Sequence, residues 1–201
     1  MASAEGEDGR PGADTLLTPP LVTRASSGLA ALLLGALVLA LVGCSSGNGS
    51  RNDPTPLAPG FALETATGER ASLVDYRGQV VILHFWATWC APCRAAIAHE
   101  VKFQEAYRAQ GFTVLGMNMD KNREDVVQFL VRNELNYPTL FVDADTRAAY
   151  GGVSSIPLTI IIDRAGRIRR QSLGYTLQLI SSLERTIESL LEEDTRMPSG
   201  S

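Results

Sequence analysis

The chain has 201 residues, enough for one ordinary domain with extensions and a buried core. Its 22 acidic and 18 basic residues are interspersed and leave a formal charge of −4. That balance excludes the basic footprint of a nucleic-acid binder, so no nucleic acid is expected as a partner.

Residues 1–24 are rich in Gly, Pro, Ala and charge and show no hydrophobic period. From Gly28 to Gly43 the chain is apolar, but this run is shorter than the ~20 residues a bilayer span needs. Arg24 supplies a positive flank, and the run ends at Leu41-Val42-Gly43-Cys44. This pattern looks like a secretory signal closing in a bacterial lipobox, with Cys44 acylated after cleavage. An uncleaved membrane anchor and a buried core helix are the alternatives. The flexible stretch Ser45-Ser46-Gly47-Asn48-Gly49-Ser50 argues against the core helix. Lipidation of Cys44 also accounts for the odd number of cysteines, three in all.

The expected organisation is a leader at 1–43, the lipidated cysteine and linker at 44–58, a folded domain at 59–193 and a disordered tail at 194–201. The folded part is then membrane-anchored in an oxidising, extracytoplasmic compartment, on the periplasmic side or the cell surface.

Within the domain, Thr67-Gly68-Glu69 reads as a hairpin turn between Phe61-Ala62-Leu63-Glu64 and Ala71-Ser72-Leu73. A buried strand follows from Val80 to Trp86. The next helix is expected to run to about Gln110 and stop before Gly111. Phe112 to Met119 is the next strand, and Asn122 caps a helix whose Val126, Val127, Phe129, Leu130 and Val131 share one face. Thr139 to Val142 is a short strand, and Ala148-Ala149-Tyr150-Gly151 is a helical turn. Leu158 to Ile162 pairs with Arg167 to Leu173 across the turn Asp163-Arg164-Ala165-Gly166. The last helix docks through Leu179, Ile180, Leu183, Ile187, Leu190 and Leu191. This alternation of strands and helices implies an α/β fold, a mixed sheet with helices on both faces.

Chemistry concentrates at Trp89-Cys90-Ala91-Pro92-Cys93, between the apolar strand and the helix. Cys90 is expected at the helix start, where free backbone N–H groups and the macrodipole favour a thiolate. Pro92 suits the first turn, and Cys93 lies deeper. Two thiols so spaced read as a dithiol–disulfide exchange site. A structural disulfide is one alternative, although closing so small a loop contributes little chain entropy. Half of a zinc site is the other, but Cys44, His84 and His99 do not supply the paired ligand spacing, so no metal or other cofactor is expected.

The run Phe85-Trp86-Ala87-Thr88-Trp89-Cys90-Ala91-Pro92-Cys93-Arg94 resembles the active site of the thioredoxin superfamily. More narrowly it resembles the TlpA/ResA-like extracytoplasmic thiol–disulfide oxidoreductases. The likeness extends from about Pro59 to Leu191, through Gly78-Gln79-Val80-Val81-Ile82-Leu83 and Ile156-Pro157-Leu158-Thr159-Ile160-Ile161-Ile162-Asp163. It implies a thioredoxin-like three-layer fold, with an inserted element that includes the strand from Phe112 and the helix from Asn122. It implies that Cys90 attacks and Cys93 resolves. By the same likeness Pro157 is the cis-proline that shapes a substrate groove, although an ordinary trans-proline at a strand start remains open. Trp89, Ala91, Pro92 and Ile156 line that groove, while Trp86 and Phe85 are core.

Thioredoxins often carry a buried carboxylate six residues before the first cysteine, where this chain has His84. Histidine can also accept and release a proton near neutral pH, or it can be a buried neutral ring with one hydrogen-bonded partner. Reductive TlpA/ResA-like members often have a glutamate three residues after the second cysteine and a proline two further on. Ala96 and Ala98 stand there instead, and nothing in the spacing gives that role to His99 or Glu100. Peroxide-reducing relatives place their cysteine differently and lack this pair.

The resemblance implies partners that carry disulfides or thiols, with apocytochrome c and copper-site cysteines as examples, and a membrane electron donor for re-reduction. A thiol oxidant running the same exchange backwards and a noncatalytic binding module are the rival expectations.

Overall fold

The computed structural model describes residues 55–195. The expected leader, Cys44 and most of the linker lie outside the described residues, as do residues 196–201. Strands β1 (Ala62–Glu64) and β2 (Arg70–Ser72) form an antiparallel hairpin. A 3-10 turn over Leu73–Tyr76 follows, with Asp75 accepting the Ser72 N–H at 2.7 Å. Then come β3 (Val80–Trp86), α1 (Ala91–Tyr107), β4 (Phe112–Asn118), α2 (Arg123–Arg132), β5 (Thr139–Phe141), α3 (Ala144–Ala149), β6 (Leu158–Ile162), β7 (Ile168–Leu173) and α4 (Leu177–Thr195).

Five strands make one mixed sheet in the order β5-β4-β3-β6-β7. The pairs β3–β4 and β4–β5 are parallel because helices α1 and α2 carry the chain back between them. The pairs β3–β6 and β6–β7 are antiparallel. The Phe112 strand thus belongs to the central β3-α1-β4 unit. The outer unit added to it is α2 with the edge strand β5.

Strand β3 is buried throughout, and apolar except at His84, because both of its faces are covered. Val81, Leu83 and Phe85 pack with Phe61, Leu63, Leu73, Tyr150 and Val153, under the hairpin and the end of α3. Val80 and Ile82 point the other way, to Phe103 on α1 and to Ile180, Leu183, Ile187 and Leu190 on α4. Truncating one of these fully buried side chains, such as Ile82, to alanine costs about 2–5 kcal/mol.

Helix α1 tightens into a 3-10 turn over Arg108–Gln110 and ends at Gly111, whose φ of 79° is left-handed. Arg164 holds this corner by donating to the Gly78 and Gln110 carbonyls at 2.7 and 2.9 Å. The last helix runs on to Thr195, two residues into the stretch expected to be tail. Among the described residues no helix is long and apolar enough to cross a membrane.

Candidate active site

The strand β3 ends at the fully buried Trp86, and after three intervening residues the chain turns into α1 at Cys90. Cys90 is the N-cap, with extended backbone, and its sulfur accepts the Cys93 N–H at 3.3 Å. One of the helix's otherwise unpaired N–H groups is therefore aimed at that sulfur. Ala91 and Pro92 form the exposed first turn, where the missing proline N–H leaves no helix bond unmade.

Cys90 and Cys93 are joined, with S–S 2.05 Å and Cα atoms 5.2 Å apart. Cys93 is completely enclosed and Cys90 is 5% exposed, so what solvent contact the pair has falls on Cys90. Both pack in one apolar cluster with Trp86, Ala87, Ile97 and Val126. Trp89, immediately before Cys90, is 70% exposed.

The Ile156–Pro157 peptide bond is cis. Pro157 is buried at the start of β6, and its carbonyl accepts the Gly174 N–H at 2.8 Å. Ile156 is half-buried and packs against the cluster that holds both cysteines. The structure therefore places Ile156, with its cis bond to Pro157, against the cluster that holds Cys90 and Cys93. Arg94 is exposed and donates to the Thr88 carbonyl at 2.8 Å.

His84 lies on the α1-facing side of β3 and is fully buried. Its Nδ1 stands 2.8 Å from Oε2 of Glu100 on α1, and the same oxygen accepts the Tyr137 hydroxyl at 3.0 Å. His84 Nε2 has no hydrogen-bond partner among the described residues. Burial, reinforced by the neighbouring Glu100, pushes the Tyr137 hydroxyl well above its ordinary range, so it stays protonated and remains a donor.

Glu100 and Tyr137 are polar members of the interior that the sequence reading did not assign. A signal for Glu100 exists in the helical period: Cys93, Ala96, Ile97, Glu100, Phe103 and Gln104 are the buried stripe of α1. That stripe puts the carboxylate two turns, about 10 Å, along the helix from Cys93. Tyr137 comes from the loop before β5 and had no local signal. His99 is turned elsewhere, 3.2 Å from the Tyr175 hydroxyl. Among the described residues no group of three or more His, Cys, Asp or Glu side chains is arranged to hold a metal ion.

A family model described as the AhpC/TSA family matches residues 55–171. The chain is 33% identical over 117 residues to the thiol-disulfide oxidoreductase ResA of Geobacillus thermodenitrificans, covering 58% of this chain and 67% of that protein. It is 38% identical over 120 residues to the thioredoxin-like protein YneN of Bacillus subtilis, covering 58% and 69%. In structure it is similar to a thiol:disulfide interchange protein described as DsbE from Chlorobium tepidum. There the TM-score is 0.64 at 35% identity, covering 68% of this chain and 96% of that one. With the paired cysteines at a helix start on this fold, the chain belongs to the AhpC/TSA family of thioredoxin-like proteins and is a thiol–disulfide oxidoreductase.

Proposed function

We propose that this oxidoreductase works as an extracytoplasmic reductase, held to a membrane through a lipid on Cys44. The observation that carries the exchange chemistry is the helix-capping position of Cys90, with its sulfur under the Cys93 N–H. In the reduced protein, the Cys90 thiolate attacks one sulfur of a partner's disulfide and expels the other as a thiolate. Cys93 gives up its proton, attacks Cys90 and releases the partner's second thiolate. Two electrons pass from the dithiol to the partner, and the Cys90–Cys93 bond closes.

Exposed Trp89, Ala91 and Pro92, with Ile156 and Pro157 across from them, form the groove where an extended partner segment docks. His84 takes the proton of Cys93. Assigning the Nδ1 proton to the bond with Glu100 leaves Nε2 as the basic nitrogen, and the carboxylate stabilises the imidazolium that forms. A membrane electron donor returns the dithiol to its reduced state, because the compartment is oxidising. The chain's likeness to ResA and DsbE supports an extracytoplasmic setting, and apocytochrome c and copper-site cysteines are partner thiols of the right kind.

The test is the equilibrium reduction potential of the Cys90–Cys93 pair, measured on the full chain against glutathione or dithiothreitol buffers. A value near that of thioredoxin, about −270 mV, supports the reductase. A value near that of DsbA, about −120 mV, reverses the direction and makes the protein an oxidant of partner thiols. Exchange activity that survives replacement of both cysteines by serine removes the catalytic reading altogether.

A further inference from the structure

The three residues between β3 and Cys90 lie outside the helices and strands, yet the N–H, hydroxyl and carbonyl of Thr88 are all held. Asp120, in the loop between β4 and α2, is the centre of this arrangement. Its Oδ2 accepts the Thr88 N–H at 2.7 Å, and its Oδ1 accepts the Thr88 hydroxyl at 2.8 Å. Asn118, itself buried, donates its side-chain N–H to Oδ2 at 2.8 Å and accepts the Asp120 N–H at 3.1 Å. The Thr88 carbonyl takes the Arg94 guanidinium from the first turn of α1. The Ala87 carbonyl accepts the Cys90 N–H at 3.1 Å, and the Trp86 carbonyl accepts the Met119 N–H at 2.9 Å.

These bonds join the nucleophile's loop to the outer α2–β5 unit. Helix α2 begins three residues after Asp120, its Val126 lies in the cysteines' cluster, and its Phe129 ring packs tilted against Trp86 at 5.2 Å between centroids. In the oxidised protein, the S–S bond itself fixes Cys90. Once that bond opens, the sulfur's place under the Cys93 N–H depends on how the Cys90 backbone is held: by the helix bond from the Arg94 N–H to its carbonyl on one side and by the loop on the other.

We propose that Asp120 is a positioning residue, which through Thr88 keeps the Cys90 sulfur aligned with the Cys93 N–H when the disulfide is open. This rests on Cys90 being the attacking thiol. Two effects of the carboxylate oppose each other. Holding the loop favours the thiolate by keeping its hydrogen bond and the helix terminus in line. Its negative charge disfavours a thiolate nearby. Three charge-assisted hydrogen bonds converge on the carboxylate, and Thr88 stands two residues from the sulfur, so alignment outweighs repulsion.

The experiment measures the rate of iodoacetamide alkylation against pH in the phosphine-reduced full chain, with the labelled cysteine identified by peptide mass. The variants are Asp120→Ala, Thr88→Val and Thr88→Ser. Thr88→Val removes the hydroxyl while leaving shape and the Asp120 charge in place, and Thr88→Ser restores the hydroxyl. The expected result is an upward shift of the alkylation profile in Asp120→Ala and Thr88→Val. Alkylation at pH 7 should slow about three- to tenfold in the first and less in the second, with Thr88→Ser close to the unsubstituted chain. Label on Cys90 with an unmoved or downward profile overturns the clamp, even where melting temperature falls. Label on Cys93 in the unsubstituted chain overturns the assignment of the attacking thiol, and the clamp with it.

Discussion

His84 Nδ1 lies 2.8 Å from Glu100 Oε2, and both side chains are shut away from water. Removing Glu100 leaves both the His84 ring and the Tyr137 hydroxyl polar, buried and without this partner. Glu100→Ala is therefore expected to lower the unfolding free energy by about 2–4 kcal/mol, measured by denaturant unfolding of the full chain. A double-mutant cycle with His84→Ala should show coupling of about 1 kcal/mol or more. His84→Ala should also slow release of the mixed disulfide. Release rates that match the unsubstituted chain at every pH from 5 to 9 remove the relay role.

Gly116 sits between His84 and Thr139 in the cross-strand register. A β-carbon there meets Trp86 Nε1 and Thr139 Oγ1 at 3.0 Å each and the Tyr137 ring at 3.4 Å. These are close-packed groups of the sheet, and none is a loose side-chain end. Gly116→Ala is expected to destabilise by about 1–3 kcal/mol and to change the fluorescence of buried Trp86. Unaltered stability and emission mean that this corner of the interior can shift to make room.

Four tyrosines, Tyr76, Tyr107, Tyr137 and Tyr150, hold their protons more tightly in the folded chain than in the unfolded one. Burial, then Glu188 and Glu184, raises Tyr107 to about 12, and burial also raises Tyr76, Tyr137 and Tyr150. The unfolded chain loses these protons first, near the ordinary value of 10. Stability is accordingly full below pH 10 and falls as pH rises through the folded values. Tyr107→Phe should retain more of its stability between pH 10 and 12 than the unsubstituted chain, measured by chemical denaturation at each pH. Equal losses in the two proteins contradict the assignment.

Asp143 caps α3 by accepting the Thr146 N–H at 2.8 Å, and that threonine is the main reason its carboxyl lies below the ordinary 3.8. Asp143→Ala is expected to cost about 1 kcal/mol at neutral pH. The folded value is depressed, so this contribution is present above the unfolded value and vanishes as pH falls through the folded one. Urea midpoints at pH 7 and pH 3 test both halves. A cost that is the same at pH 3 assigns the effect to something other than the charged cap.

Those parts of the fold that rest on local chemistry were legible. Asn122 capped the helix it was expected to cap, Gly111 ended the helix–turn run after the site, and the continuous run from Val80 to Trp86 marked a strand covered on both sides. Strand ends drifted by a residue, as at Phe141, because pairing decides them and composition does not. The neighbours of the redox pair were harder to read. Glu100 looked like one more helix charge, and only its place on the buried stripe distinguishes it from the exposed Glu105. Tyr137 and Asp120 reach the site across the sheet from loops more than 25 residues away. Nothing in a single stretch of sequence records that crossing, because β4 and β5 must form before it exists.

The first few residues described have a consequence for solubility. Residues 56–58 pair with Gly166, Arg167 and Ile168, at the start of the outer strand β7, through the Ile168 N–H on Pro56 and the Leu57–Arg167 bridge. A few residues later Thr65 bridges to Leu140 and Ala66 donates to Thr139, covering part of the other outer strand, β5. One short stretch of chain thus covers part of each open side of the same sheet. A protease cut or truncation that freed residues 55–66 would expose unpaired backbone on two flanks at once. Such a chain could keep its redox pair and still assemble with its own copies, strand against strand, into insoluble material.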